Sequence, residues 1–299
     1  MGKTKDSGLD GLLVVDKEAG WTSHDVVARV RGAIGQRRCG HSGTLDPDAT
    51  GVLLIGFGRV TRLLPLLTAL PKVYVGQIVL GSTTSTLDSS GEVTGSFAMA
   101  GVTLDEVRSA TAPFVGDIAQ IPPMVSAVQI GGHRLHELAR QGIEIDRPPR
   151  RVHVERFDIR GWAEPGVLDI EVECGSGTYI RSLAADLGAS LGGGAHLRSL
   201  RRTRIGSFVA ESAILVGAAD RSTVLLSASR ALADYPRVEV DADVLGRVRV
   251  GMTVSSQLLG LPETCPSGPF AVCAGEELVA VYEYTGGSVA RPVVVLAPR

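Results

Sequence analysis

The sequence predicts an α+β fold built on a mixed, mostly antiparallel sheet, followed by a small β-rich C-terminal domain. Strand-like segments outnumber helical ones and mix with them in no regular βαβ alternation. Residues 152–159 and 167–174 alternate apolar with polar side chains and pair as an antiparallel hairpin joined through Gly161 to Gly166. After Tyr235-Pro236 the chain changes to short strands spaced by Gly and Pro, near 238–240, 248–250, 271–273, 278–282 and 293–296. These observations divide the chain into residues 1–235 and 236–299.

At 299 residues with 44% hydrophobic content, the chain is long enough for a sizeable core. Residues 12–16 read as a buried strand, and Thr22 with Asp25 three residues on is a capping box opening a helix to Ile34, with Val26, Val27 and Val30 on its apolar face. The apolar run 52–57 is a second strand. Residues 59–70 look helical but are interrupted by Pro65, 74–80 form a strand, and the Ser/Thr-rich stretch 81–91 is a loop. Thr103 and Glu106 cap another helix. Residues 120–151 depart from this pattern. Ile121-Pro122-Pro123 breaks structure, a β-like stretch 125–130 ends at Gly131-Gly132, and 133–140 is a short helix. The helix 179–191 follows Gly175-Ser176-Gly177-Thr178, buries Ile180, Leu183, Ala184 and Leu187, and stops at three glycines.

Residues 1–10 lack an apolar segment and no run approaches the roughly 18 residues of a membrane span, which predicts a cytoplasmic protein with no membrane association. Four scattered cysteines show no Cys-x-x-Cys spacing, arguing against a zinc site and a disulfide framework. Net charge is −2, yet Arg29, Arg31, Arg37 and Arg38 form one acid-free cluster and Arg198, Arg201, Arg202 and Arg204 another. With the net-positive stretch from Arg134 to Arg151, which includes Arg140, they predict a phosphate-binding surface. The 4% aromatic content excludes a broad base-stacking platform.

The most informative stretch is Gly40-His41-Ser42-Gly43-Thr44-Leu45-Asp46-Pro47-Asp48-Ala49-Thr50-Gly51. Pro47 fixes its own φ and keeps Asp46 out of the helical region, while the glycines admit tight backbone and close approach. Such a loop holds a carboxylate still.

The chain resembles the TruB-type tRNA pseudouridine synthases over nearly its whole length. The Gly40 to Gly51 loop looks like that family's catalytic loop, and Val15-Asp16-Lys17, Lys72-Val73-Tyr74, Gln120-Ile121-Pro122-Pro123-Met124-Val125-Ser126-Ala127 and Gly177-Thr178-Tyr179-Ile180-Arg181 fall in the family's order. The resemblance implies cofactor-free isomerisation of uridine 55 in the T-loop of tRNA, with Asp46, Tyr74 and Arg181 catalytic. It implies that His41 fills the space left by the flipped base and that Tyr179 lines the pocket. Lys17, Gly20, Lys72, Arg134, Arg140, Arg201 and Arg202 would contact substrate, Lys72 as a phosphate contact or a snorkelling surface residue. It further implies that 120–151 is an inserted RNA-binding segment that closes over the T-arm, that 236–299 is a PUA-like domain, and that no metal or obligate protein partner is needed. Monomer is the default.

This chain departs from the family at Lys17-Glu18-Ala19-Gly20, where Lys-Pro is expected, and at Ser42, where threonine is usual. Two other readings compete. One is a tRNA-binding or folding chaperone without turnover; the other is a hydrolase using Asp46 with Asp48 as second acid.

Overall fold

The computed structural model describes residues 8–126, 129–130, 133–134, 141, 143, 145–261 and 267–296. Ten strands make the main sheet: β1 (Gly11–Lys17), β2 (Cys39–Ser42), β3 (Thr50–Phe57), β4 (Lys72–Leu80), β5 (Gly116–Gln120), β6 (Arg150–Glu164), β7 (Val167–Cys174), β8 (Ala195–Ile205), β9 (Phe208–Val209) and β10 (Ile214–Leu215). Their order is β10-β1-β3-β8-β4-β7-β6-β5, with β2 beside β3 and β9 beside β8. The pairs β1–β10 and β3–β8 are parallel and the others antiparallel, so the sheet is mixed and mostly antiparallel.

Its middle contains a fork. β3 and β8 pair through two residues of each, Thr50 with Arg201 and Gly51 with Arg202. Beyond that point β3 takes β2 as its neighbour and β8 takes β9. The loop from β2 to β3 carries Asp46, so the fork is where the loop enters the fold.

Helix α1 (Ser23–Ile34) starts at the Thr22–Asp25 capping box and ends on left-handed Gly35. It buries Val26, Val30 and Ile34 against Leu13, Val15, Leu53, Ile55 and Phe57. The alternate residues Leu12, Val14, Val52 and Leu54 join a cluster on the other face. β1 and β3 are therefore covered on both sides, which is why each is a continuous apolar run. Pro65 is tolerated because it falls in the first turn of α2 (Leu64–Ala69), after a 3₁₀ turn over Gly58–Leu63. Helix α3 (Leu104–Ala110) opens on the Thr103–Glu106 capping box. Helix α4 (Ile180–Ser190) lays Ile180, Leu183, Ala184 and Leu187 on Ile78, Leu168, Ile170 and Val172.

A separate five-stranded sheet runs from Arg237–Glu239 through Gly268–Ala274, Glu277–Tyr284 and Val289–Val295 to Val254–Ser255. Its Ala271, Leu278, Val281 and Leu296 pack into the cluster beneath β1 and β3. The strand expected at 248–250 is instead the end of a helix, Ala242–Arg249. The Asp241 carboxylate accepts the N–H groups of Asp243 and Val244, and Val244 and Val248, one turn apart, are buried together. The cap and the helical spacing override the β-preference of the valines. Part of the loop expected at 81–91 is also ordered, with Ser82–Thr84 pairing with Val93–Ser96. The helix expected from residue 133 does not begin there, because His133–Arg134 pairs as a short strand with Gln129–Ile130; residues 135–140 lie outside the described residues.

Gly51 shows why the fork needs glycine. Its φ is +105°, and a Cβ there would lie 2.1 Å from the carbonyl oxygen of Arg202. Gly51→Ala is expected to lower the unfolding free energy by at least about 3 kcal/mol in urea denaturation, since strained backbone and a backbone clash act together. A loss below about 0.5 kcal/mol would show that the fork can spread.

Candidate active site

The Asp46 loop is tied down from four directions. Ser23, at the start of α1, accepts the Leu45 N–H at 2.9 Å and donates its hydroxyl to the Leu45 carbonyl at 3.2 Å. The Pro47 carbonyl accepts the Gly20 N–H at 3.0 Å and Lys17 Nζ at 2.8 Å. Arg202 donates to the Gly43 carbonyl at 3.0 Å and to the Val52 carbonyl at 2.8 Å. Ser42 Oγ lies 3.1 Å from Thr68 Oγ1.

Asp46 meets Arg181 at the base of a cleft. Arg181 Nη2 lies 3.1 Å from Asp46 Oδ1 and 3.0 Å from Oδ2. The same guanidinium, buried at the start of α4, also reaches Asp88 Oδ2 at 3.3 Å and donates to the carbonyls of Thr86 and Val125. Burial pushes the Asp46 carboxyl above the usual aspartate range; Arg181 pulls it back and the like charge of Asp88 pushes the same way as burial. Its side chain is still 45% exposed through the cleft mouth, which moderates the cost of the charge. Arg181 is thus shared between two carboxylates rather than dedicated to one, and Asp46 is more basic than a simple ion pair would make it.

Asp88 lies in the stretch read from sequence as a plain loop. It is held by Thr86 Oγ1 at 2.6 Å and the Ser90 N–H at 3.0 Å. The neighbouring Leu87 has φ +63°, a left-handed conformation that costs a branched residue about 1–3 kcal/mol. Its carbonyl accepts the Leu197 N–H, so β8 holds the strained turn against the site.

On one side of the Asp46–Arg181 pair is a cavity of about 260 Å³ lined by Gly43, Lys72, Tyr74, Gly177, Tyr179 and Arg202 among others. Another, of about 420 Å³, lies on the side of Pro47, Asp88 and Ser199. The first is smaller than drug-sized pockets, which begin near roughly 300 Å³, and fits a single planar base. Tyr74 is almost fully buried on β4, between Val172 of β7 and Arg202 of β8. Burial raises its pKa, and Arg202 beside it acts in the opposite direction.

Several side chains expected on the substrate are occupied inside the protein. Lys17 is fully buried, and its ammonium donates to the carbonyls of Glu18, Trp21 and Pro47 at 3.0, 2.7 and 2.8 Å. Burial lowers its pKa to about 8. Lys72, also buried and lowered to about 8 by burial, donates to the carbonyls of Thr68 and Leu70, so it neither snorkels nor points a free ammonium outward. Arg202 is 1% exposed and clamps the fork. Arg201 forms a two-pronged pair with Asp16 at 2.9 and 2.7 Å. The acid-free cluster of the sequence is not acid-free in space, because Arg198 meets Glu164 and Arg204 meets Glu173. Gly20 serves the loop through its backbone. Arg134 is in a strand, and Arg140 lies outside the described residues.

His41 does not line the cavity. It meets His24 of α1 edge-on, with ring centroids 5.3 Å apart, and its buried Nδ1 has no hydrogen-bond partner. Burial, helped by His24 and Arg202, lowers its pKa to about 4. Gln120 was not singled out in the sequence as a site residue. Its buried amide accepts the Tyr179 N–H at 2.7 Å and donates to the Tyr179 carbonyl at 3.0 Å, pinning the residue before α4 as a neighbouring strand would. The signal available was a polar residue before Pro-Pro.

Residues 31–180 match the TruB family pseudouridylate synthase N-terminal domain, and 181–225 match the tRNA pseudouridylate synthase B C-terminal domain. The tRNA pseudouridine synthase B of Arthrobacter sp. (strain FB24) is 42% identical over 299 residues, covering 97% of each chain. The chain belongs to the TruB family. A same-named protein of Rhodococcus jostii (strain RHA1) is 48% identical over 239 residues, covering 78% of each chain. Among solved structures, a Cbf5-Nop10-Gar1 complex superposes with a TM-score of 0.75 at 26% identity, covering 97% of this chain and 85% of that one. The TruB-family boundary between the two matched regions falls at Arg181, so the ion pair with Asp46 joins them. Among the described residues no helix is long and apolar enough to cross a membrane, and no cluster of three or more His, Cys, Asp or Glu side chains could hold a metal ion.

Two outcomes follow from this geometry. His41 is neutral in the folded protein, whereas an unfolded His takes a proton near 6.5, so its contribution is intact above pH 6.5 and is lost as pH falls toward 4. The melting temperature of the parent should therefore drop more steeply between pH 6.5 and 4 than that of His41→Asn; parallel curves would contradict the buried neutral imidazole. Gln120→Leu keeps the volume but strands the Tyr179 N–H, while the Tyr179 carbonyl keeps the Leu183 N–H at 3.1 Å, and it should lower unfolding free energy by about 1–3 kcal/mol. A loss under about 0.5 kcal/mol would mean that water replaces the amide.

Proposed function

We propose that this protein isomerises uridine 55 in the T-loop of tRNA to pseudouridine, with Asp46, Tyr74 and Arg181 as the catalytic residues. The observation that carries the reading is the Asp46–Arg181 pair lining, together with Tyr74, one cavity of about 260 Å³ in a chain of the TruB family. The relatives named tRNA pseudouridine synthase B support the same substrate class.

The uridine leaves its stack, at a cost of a few kcal/mol, and enters the cavity over Tyr74. The N1–C1′ bond breaks with assistance from the Asp46 carboxylate, as nucleophile or as stabiliser of the separating fragments. The base turns, C5 bonds to C1′, C5 loses its proton, and N1 gains one. Atoms balance without any cofactor. Tyr74 stacks on the ring, and because burial holds its phenol protonated, its oxygen can take the C5 proton only as its own hydroxyl proton passes on toward N1, with Arg202 beside it easing that loss. Arg181 orients Asp46, and Tyr179 lines the pocket.

Residues 1–235 act as the catalytic unit, with 120–151 as the inserted segment that closes on the T-arm and 236–299 as a PUA-like domain. The protein works as a single chain in the cytoplasm. The chaperone reading leaves the Arg181 pairing without a use. In the hydrolase reading Asp48 would be the second acid, whereas the carboxylate that shares Arg181 with Asp46 is Asp88.

Asp46→Asn should fold and bind an unmodified tRNA transcript while turnover falls by at least about 10³-fold, read by carbodiimide-dependent primer extension in the T-loop. The acid limb of the parent's rate profile should lie above 3.8, because turnover falls as the raised Asp46 carboxyl takes up its proton. Retained turnover in the variant would remove Asp46 from its role. Tight binding with no T-loop stop in the parent would favour the chaperone.

A further inference from the structure

Two groups of arginines differ in how they are partnered. On the sheet, Arg156 and Arg160 meet Glu171, Arg198 meets Glu164, Arg201 meets Asp16 and Arg204 meets Glu173. Their charge is cancelled locally. Around the end of α1 and the start of β2 the situation is reversed. Arg29, Arg31, Arg37 and Arg38 are exposed, and none lies within ion-pair distance of a carboxylate among the described residues. No acid occurs in the sequence between Asp25 and Asp46. Exposed Arg221 reaches the same corner, its Nε lying 3.8 Å from where a side chain on Gly35 would begin.

Helix geometry explains one of these residues, because Arg31 in the last turn of α1 complements the negative helix end. Arg38 also has an internal task, its Nε donating to Thr61 Oγ1 at 2.9 Å. Arg29 and Arg37 have no partner among the described residues that accounts for them. Four uncompensated guanidinium groups within ten residues repel one another, and a polyanion relieves that repulsion while matching their forked donors.

The corner is also placed to meet the RNA whose base enters the cavity. β2 runs from Cys39 directly into the Asp46 loop, and the eight residues from Arg38 to Asp46 span at most about 28 Å, within reach of a helical stem carrying the flipped base.

We infer that the α1–β2 corner is a phosphate-binding surface for the stem of the substrate RNA, engaged through Arg29, Arg31, Arg37 and Arg38, and that the paired arginines of the sheet are not. The inference rests on the RNA-modifying reading above. It also relocates the expected electrostatic footprint, since the Arg198 to Arg204 cluster is neutralised internally.

The test titrates an unmodified tRNA transcript by fluorescence anisotropy at several salt concentrations. Arg29→Gln/Arg31→Gln/Arg37→Gln leaves Arg38 and its internal bond in place. It should reduce the slope of log K against log salt by about 2, at about 0.7–0.9 per lost phosphate contact, and weaken binding at low salt. The same three positions changed to Lys should keep most of the slope. Arg198→Gln/Arg204→Gln, which removes charge from the paired face, should keep the parental slope. Melting curves check that each variant is folded; if the triple variant is not, Arg29→Gln/Arg37→Gln, at two exposed positions without partners among the described residues, should lose about two thirds as much slope. A parental slope retained in the glutamine variants would overturn the inference and leave the RNA-modifying reading standing. A parent that binds no tRNA at any salt would overturn both.

Discussion

The site depends on one buried cation, the guanidinium of Arg202 at the point where β3 and β8 part. Two residues from each strand pair there to hold the halves of the sheet together, and the loop carrying Asp46 ends beside them. A buried charge is costly unless its donors are used, and Arg202 directs its donors to the carbonyls of Val52, on one arm of the fork, and Gly43, at the start of the loop. It therefore couples the position of the catalytic loop to the backbone of the sheet. Gly51 makes the arrangement possible by leaving no side chain between the strands. Lys17, Gly20 and Ser23 then hold the middle of the loop from the opposite side.

Within that frame the electrostatics are deliberately short of neutral. A single guanidinium faces two carboxylates, so the trio of Asp46, Arg181 and Asp88 carries one excess negative charge when both acids are ionised. The excess, together with burial, explains why Asp46 holds a proton more readily than an isolated aspartate despite its contact with arginine. Arg181 fixes the direction of the carboxylate while leaving it basic. The strained Leu87 turn belongs to the same arrangement, since it delivers both the Asp88 carboxylate and the Thr86 carbonyl to Arg181.

Much of the fold was legible because its signals are local. The Thr22–Asp25 and Thr103–Glu106 boxes mark helix starts through side chains three residues apart, and apolar runs mark strands covered on both faces. The Asp46 loop was legible because Pro47 restricts its own φ and its neighbour's backbone, and because Gly43 and Gly51 stand where the loop does take positive φ. What sequence could not reveal was pairing across strands. Arg198, Arg201 and Arg204 look like free charges in one dimension, but their acids arrive from β6, β1 and β7. Asp88 was hidden for the same reason, in a Ser/Thr-rich stretch whose link to Arg181 exists only after folding. Residues 248–250 failed differently, because a capping aspartate seven residues upstream outweighed the preference of two valines.

The contacts that lock the Asp46 loop span the chain: 30 residues from Lys17 to Pro47, 135 from Asp46 to Arg181, and 159 from Gly43 to Arg202. Contacts of such separation form late, after local helices and hairpins have closed. During synthesis the amino-terminal part can build β1, α1 and the β2–β3 hairpin while the loop between them is still unfastened. The clamp becomes available once Arg202, about two thirds of the way along the 299 residues, has left the ribosome. An unfinished chain is therefore barred from working on the cell's RNA by its own topology, and no separate inhibitor is needed.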